Sequence, residues 1–139
     1  MKFLTAIRHF KTVTRHKWYV MIECFRMKLY WQGIVHDLSK YSPTEFLASA
    51  KYFQGNSTPI AAEKAAIGYS VAWLNHKAKN KHHWEYWTDF RDGTILTVPI
   101  PKKYLKEMFC DMVGASKTYL SQKFDKKEPL KYFIDTSDK

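Results

Sequence analysis

From Met1 to Gln32 the chain contains neither glycine nor proline, so nothing in the first quarter of the sequence interrupts a helical backbone. Apolar residues recur at Phe3, Leu4, Ile7 and Phe10, and again at Val20, Ile22, Phe25, Met27 and Leu29, close to the period of a helix. The pattern predicts two helices, with a break at the polar run from Thr14 to His16. A chain that opens in this way has apolar stripes to bury, and further helices are their natural partners.

The remaining sequence supplies such helices. Gly33 offers a flexible point after the first pair. Ser42-Pro43-Thr44-Glu45 is a helix start, with Ser42 as cap, Pro43 at the first helical position and Glu45 completing a capping box; this helix is expected to run to about Phe53. A polar turn cluster at residues 54–59 precedes an alanine-rich stretch from Ile60 to Lys79, read as one helix with His76 near its end. Between Asp89 and Pro101 the pattern loosens around Gly93 and two prolines, as in an extended loop or a short hairpin arm. Pro101 then opens a helix whose face runs through Tyr104, Leu105, Met108, Met112 and Ala115. After Lys123 the tail is highly charged, with Pro129 breaking it, and is expected on the surface. The expectation is an all-α bundle of about five to seven helices forming a single domain over residues 1–139, with a core at about 14–113 and a charged tail at 124–139.

Composition narrows the function classes. Hydrophobic residues make up 45% of the chain and aromatics 17%, which excludes an intrinsically disordered protein. Lys and Arg outnumber Asp and Glu by 23 to 13, a net charge of +10, which favours anionic partners such as phosphate esters, nucleotides or nucleic acid. Cys24 and Cys110 have neither a partner cluster nor CxxC spacing, so both read as buried thiols rather than a disulfide framework or a thiolate zinc site. Arg8, His9 and Lys11 interrupt the start before a signal-peptide core accumulates, and no run of about 18 apolar residues could span a bilayer. The expected setting is cytoplasmic, with no membrane partner.

Chemistry concentrates in an ordered series: His16, His36-Asp37, His76, His82-His83 and Asp111. Imidazole nitrogens and carboxylate oxygens are ligands for borderline transition metals, and a set without thiolates points away from a purely structural zinc. Asp111 adds weight, because an acid between Cys110 and Met112 on an apolar helix is costly to bury unless paired or metal-bound. His9 has no such company and reads as structural.

Gly33-Ile34-Val35-His36-Asp37-Leu38-Ser39-Lys40 resembles the Gly-hydrophobic-hydrophobic-His-Asp-x-x-Lys signature of HD-domain metal-dependent phosphohydrolases. The resemblance covers roughly residues 14 to 113. It implies an HD-domain-like helical bundle in which His16, His36, Asp37 and Asp111 hold one metal. In two-metal members an extra histidine and a His-His pair stand between, which His76 and His82-His83 resemble, and one or two divalent ions (Mn, Fe, Co, Ni or Zn) follow as cofactors. The order alone does not choose between His82 and His83. The string that includes Asn80-Lys81-His82-His83 and Glu107-Met108 also looks like a small bacterial and phage family of this superfamily. Two departures stand out. Trp84-Glu85-Tyr86-Trp87 takes the place of the Gly-Tyr-Pro element of the cyclic-dinucleotide branch, and Ser39 replaces the usual glycine before the lysine.

The leading expectation is therefore a phosphomonoesterase or phosphodiesterase acting on a nucleotide or other small phosphate ester. In it Asp37 is the bridging ligand, Lys40 neutralises phosphate charge and Glu45 is a candidate for orienting a water. Lys77, Lys79 and Lys81 lie beside the proposed site and can draw in an anionic substrate, and Trp84 and Trp87 are placed to form a stacking wall. Lys40, Lys81 and Trp84 are the substrate-binding candidates. Two other classes compete: a di-iron oxygenase on the same scaffold, and a basic nucleic-acid-binding module without catalysis.

Overall fold

A computed structural model describes residues 3–137; Met1 and Lys2, and the last two positions of the expected tail, lie outside the described residues. Seven α-helices carry the fold: α1 Phe3–Arg26, α2 Tyr30–Val35, α3 Pro43–Tyr52, α4 Pro59–Ile67, α5 Val71–Lys79, α6 Lys102–Leu120 and α7 Glu128–Ser137. One antiparallel hairpin, β1 Thr88–Arg91 paired with β2 Thr94–Thr97, accompanies them. The all-α class expected from the sequence holds, and the loose segment before Pro101 is the hairpin arm. Its turn is Asp92-Gly93, both residues at positive φ as a two-residue hairpin turn requires. No helix among the described residues is long and apolar enough to cross a membrane.

Several local expectations are overturned. α1 is one continuous helix of 24 residues rather than two. The polar run that suggested a break places His16 inward, on the buried face it shares with His9, Val13, Val20 and Cys24. Residues 60–79 form two helices, because Gly68 ends α4 at φ 84° and the Ser70 side chain caps α5 by accepting from the Trp73 amide. Buried Glu63 reinforces that start, taking the Ser70 hydroxyl at 2.5 Å and the Val71 amide at 3.1 Å. Gly33 is no hinge: it sits buried inside α2, where a Cβ would stand 3.0 Å from the Cys24 Cβ and 3.1 Å from the Phe25 ring. Pro129 does not break the tail but occupies the first turn of α7, where its missing N–H costs nothing. Ser42 caps α3 as expected, accepting from the Glu45 amide at 3.4 Å, but the Glu45 carboxylate turns inward to His76, so the reciprocal half of the capping box is not formed.

The frame of the bundle is the long seam between α1 and α6, with α3 and α5 closing the other side. Apolar burial is modest. Val13, Val20, Cys24, Ala50, Ala72 and Cys110 are the buried hydrophobic side chains among the described residues, and both cysteines are buried free thiols, as expected. Imidazoles and carboxylates fill most of the remaining interior: His9, His16, His36, Asp37, Glu45, Glu63, His76, His82 and Glu107 are all buried. His9 is structural, its ring tilted against Phe46 and Phe53 at 5.1 Å from each. Burial lowers its pKa to about 4, so it is neutral in the folded protein near pH 7.

Candidate metal centre

The seven histidines and aspartates singled out in the sequence converge. α1 delivers His16, the end of α2 delivers His36, α5 delivers His76, the loop after α5 delivers His82 and His83, and α6 delivers Asp111. Asp37 is placed by a backbone turn. His36 leaves α2 in an extended conformation and Asp37 enters the left-handed region at φ 55°, so two consecutive residues face one centre. Aspartate tolerates that conformation better than most residues. Lys17 secures the junction by donating to the carbonyls of Ile34 and His36, the latter at 2.9 Å, as a cation at a helix C-terminus does.

Asp37 divides the donors into two groups. Its Oδ2 lies 3.4 Å from His16 Nε2 and 3.3 Å from His36 Nε2, and those nitrogens stand 3.0 and 3.4 Å from Asp111 Oδ1. Its Oδ1 lies 3.3 Å from His76 Nε2 and 3.4 Å from His82 Nε2. His83 joins this second group, in which one ligand atom from each residue lies within 4.8 Å of every other. Both members of the His-His pair are thus brought to the centre. Ligand atoms about 2.1 Å from a tetrahedral ion stand roughly 3.4 Å apart, and the spacings here fit that arrangement.

The hydrogen-bonding state of these atoms points the same way. His16 Nε2, His36 Nε2, His82 Nε2, His83 Nε2 and Asp37 Oδ1 are buried with no hydrogen-bond partner, and Asp37 Oδ2 meets the Lys40 ammonium alone. Leaving so many polar atoms unsatisfied in one place is costly, and a divalent cation satisfies all of them together. The donors therefore fit one or two metal ions. Burial would raise the carboxyl pKa values, but the charges of His36, Lys40 and His76 around Asp37, and the His16 and His36 imidazoles beside Asp111, outweigh it and hold both acids well below the usual carboxylate range. Burial, then the charge of His82, lowers His83 to about 2, leaving it neutral and able to ligate.

Two further carboxylates orient the rings. Glu107 Oε1 takes His36 Nδ1 at 3.0 Å and His82 Nδ1 at 3.2 Å, and Glu45 Oε1 takes His76 Nδ1 at 2.7 Å. An Nδ1–H held by a carboxylate keeps Nε2 aimed at the centre, where a binding metal would displace any proton it carries. Glu107 was legible in the sequence only as part of a resembling string; its position one helical turn before Asp111 on α6 is the signal that could have assigned it. Of the remaining candidates, Lys40 pairs with Asp37 Oδ2 at 2.6 Å. Lys81 is exposed, its Nζ 5.8 Å from the Tyr86 ring and 5.9 Å from the Tyr104 ring. Trp84 is 56% exposed and Trp87 donates its indole N–H to the Lys81 carbonyl.

Glu107→Gln tests the orienting role. A carboxamide of the same size keeps an oxygen for both imidazoles but loses the charge that supports their Nδ1–H groups, so metal affinity is expected to fall by about 10–100-fold with the fold intact. Unchanged affinity in a competition titration against a chelator would remove Glu107 from the site.

No curated protein and no solved structure matches the chain. A family model matches residues 5–138, a span that includes every donor described above. The chain belongs to that family, the family of unknown function DUF5662.

Proposed function

We propose that this protein is a metal-dependent phosphohydrolase that holds two divalent transition-metal ions and acts on a nucleotide or another small phosphate ester. The observation that carries the reading is Asp37, whose two oxygens serve two different sets of imidazoles. His16, His36, Asp37 and Asp111 would hold one ion, and Asp37, His76, His82 and His83 the other. Ions so held supply an acidified water and neutralise charge on a phosphoryl group. The resemblance of residues 33–40 to the HD-domain signature, and the all-α scaffold, add support.

The chain's own residues divide the remaining work. Lys40 sits beside Asp37 with its side chain partly exposed, where it can pair with a phosphoryl oxygen. Asp111 is the more exposed of the two aspartates, which supports substrate entry from its side of the centre. Glu45 and Glu107 are positioning residues that fix the imidazole tautomers.

Elemental analysis of the purified protein, followed by assays with p-nitrophenyl phosphate, bis-p-nitrophenyl phosphate and nucleoside monophosphates, tests this reading. Near two equivalents of Mn, Co, Ni or Zn with metal-dependent hydrolysis is the expected result. No bound metal after incubation with excess Mn and Fe would overturn it. Two equivalents of iron with oxygen consumption and no hydrolysis would replace it with an oxygenase.

A further inference from the structure

A cleft of about 290 Å³ opens between α2, the loop after α5 and the start of α6. Of the seven metal-ligand candidates only His36 and His82 reach its wall, together with Glu107. Those two rings lie 4.4 Å apart, their Nδ1 atoms on Glu107 and their Nε2 atoms near the two aspartates. The cleft therefore lies behind the metal centre, on the Glu107 side of the imidazoles.

Its lining is chemically coherent. Lys79, Lys81 and Lys103 border it, all three exposed, and no carboxylate among the described residues pairs with any of them. Two aromatic side chains flank the lysines: Trp31, which is 70% exposed, and Tyr104. An indole left this open, beside unneutralised ammonium groups, offers a stacking face next to an anion site. Glu107 is 5% exposed; its Oε1 is committed to both imidazoles, while no described residue donates to Oε2. A carboxylate oxygen without a donor on the cleft wall is an acceptor for a ligand N–H. Room for one ring and one phosphate, but not for a second nucleotide, follows from the volume.

We infer that this cleft binds a nucleoside monophosphate, with its base stacked on Trp31 and donating to Glu107, and its phosphate held by Lys79, Lys81 and Lys103. The site is separate from the metal centre and requires no metal. Through Glu107, which orients both His36 and His82, occupancy of the cleft is in contact with the ligand geometry of the centre.

Calorimetric titration of the full chain with AMP and GMP, after treatment with EDTA, tests the inference independently of any hydrolytic activity. Saturable binding with Kd below about 1 mM is expected, weakened at least about tenfold by Trp31→Ala and by Lys103→Ala, both at exposed positions. Asp111→Asn, which lies outside the cleft, should leave it unchanged. Adenosine and inorganic phosphate should each bind more weakly than AMP. Absence of saturable binding up to about 5 mM, equal affinity in the Trp31 and Lys103 variants, or binding that appears only with metal and is lost in Asp111→Asn would each overturn the proposal. The last outcome would move the nucleotide to the metal centre.

Discussion

Asp37→Asn is expected to empty both halves of the centre, with bound metal falling below about a tenth of the wild-type content and hydrolysis dropping by at least about 10³-fold, roughly 4 kcal/mol of barrier. Asparagine keeps the size of the side chain and tolerates the left-handed backbone at φ 55°, so the fold has no steric reason to change. The charge that two imidazole groups and Lys40 share is removed. Asp111→Asn, by contrast, touches the group that holds His16 and His36 but not the one that holds His76 and His83, so it should cost chiefly one ion. Elemental analysis beside circular dichroism distinguishes the outcomes. A folded Asp37→Asn protein that retains two ions and full activity would sink the bridging role.

The second large effect concerns the seam that positions His16 against Asp111. Gly114→Ala on α6 would drive a Cβ into Val20 Cγ2 and to 3.1 Å from the Val20 backbone nitrogen on α1. Val20 is fully buried and, being β-branched, has little rotamer freedom with which to move aside. Helix–helix separation must increase, at a cost of roughly 1–3 kcal/mol, which for a domain of this length lowers Tm by roughly 5–10 °C. Val20→Ala removes the clashing methyl groups while leaving the backbone contact. The double variant is therefore expected to be more stable than the sum of the two single losses predicts. Thermal denaturation of the four proteins decides the matter; strict additivity would mean that the seam relaxes by another route.

What the sequence made legible divides along a physical line. Metal-type donors announced themselves because histidine and aspartate are conspicuous in helices with apolar faces, and all seven come together. Helix ends set by local chemistry were also readable, as with Ser42 and Pro43. Features that depend on distant partners were not. The start of α5 is fixed by Glu63, a residue on the preceding helix, and no local pattern shows that carboxylate turning onto the next helix. The polar run Thr14 to His16 looked like a break because its neighbours are basic, whereas the inward turn of His16 makes sense only beside Asp37 and Asp111. Gly33 reads as a flexible point until its neighbours on α1 are in place. Glu45 carried a sufficient local explanation as part of a cap, and that explanation hid its contact with His76.

The donors come from α1, the end of α2, the turn after it, α5, the loop beyond and α6, so ions held there would act as cross-links between segments far apart in sequence. An ion seated on His16 and Asp111 closes a loop through most of the chain, and the entropic cost of such closure grows only slowly with length. The apolar core it supplements is small, and α4 and α5 are nine residues each, too short to persist as isolated helices. Metal held at the centre would therefore add stability to a fold that the helix seams already hold together. During synthesis the donor set is completed only with α6, because Asp111 lies in the last third of the chain.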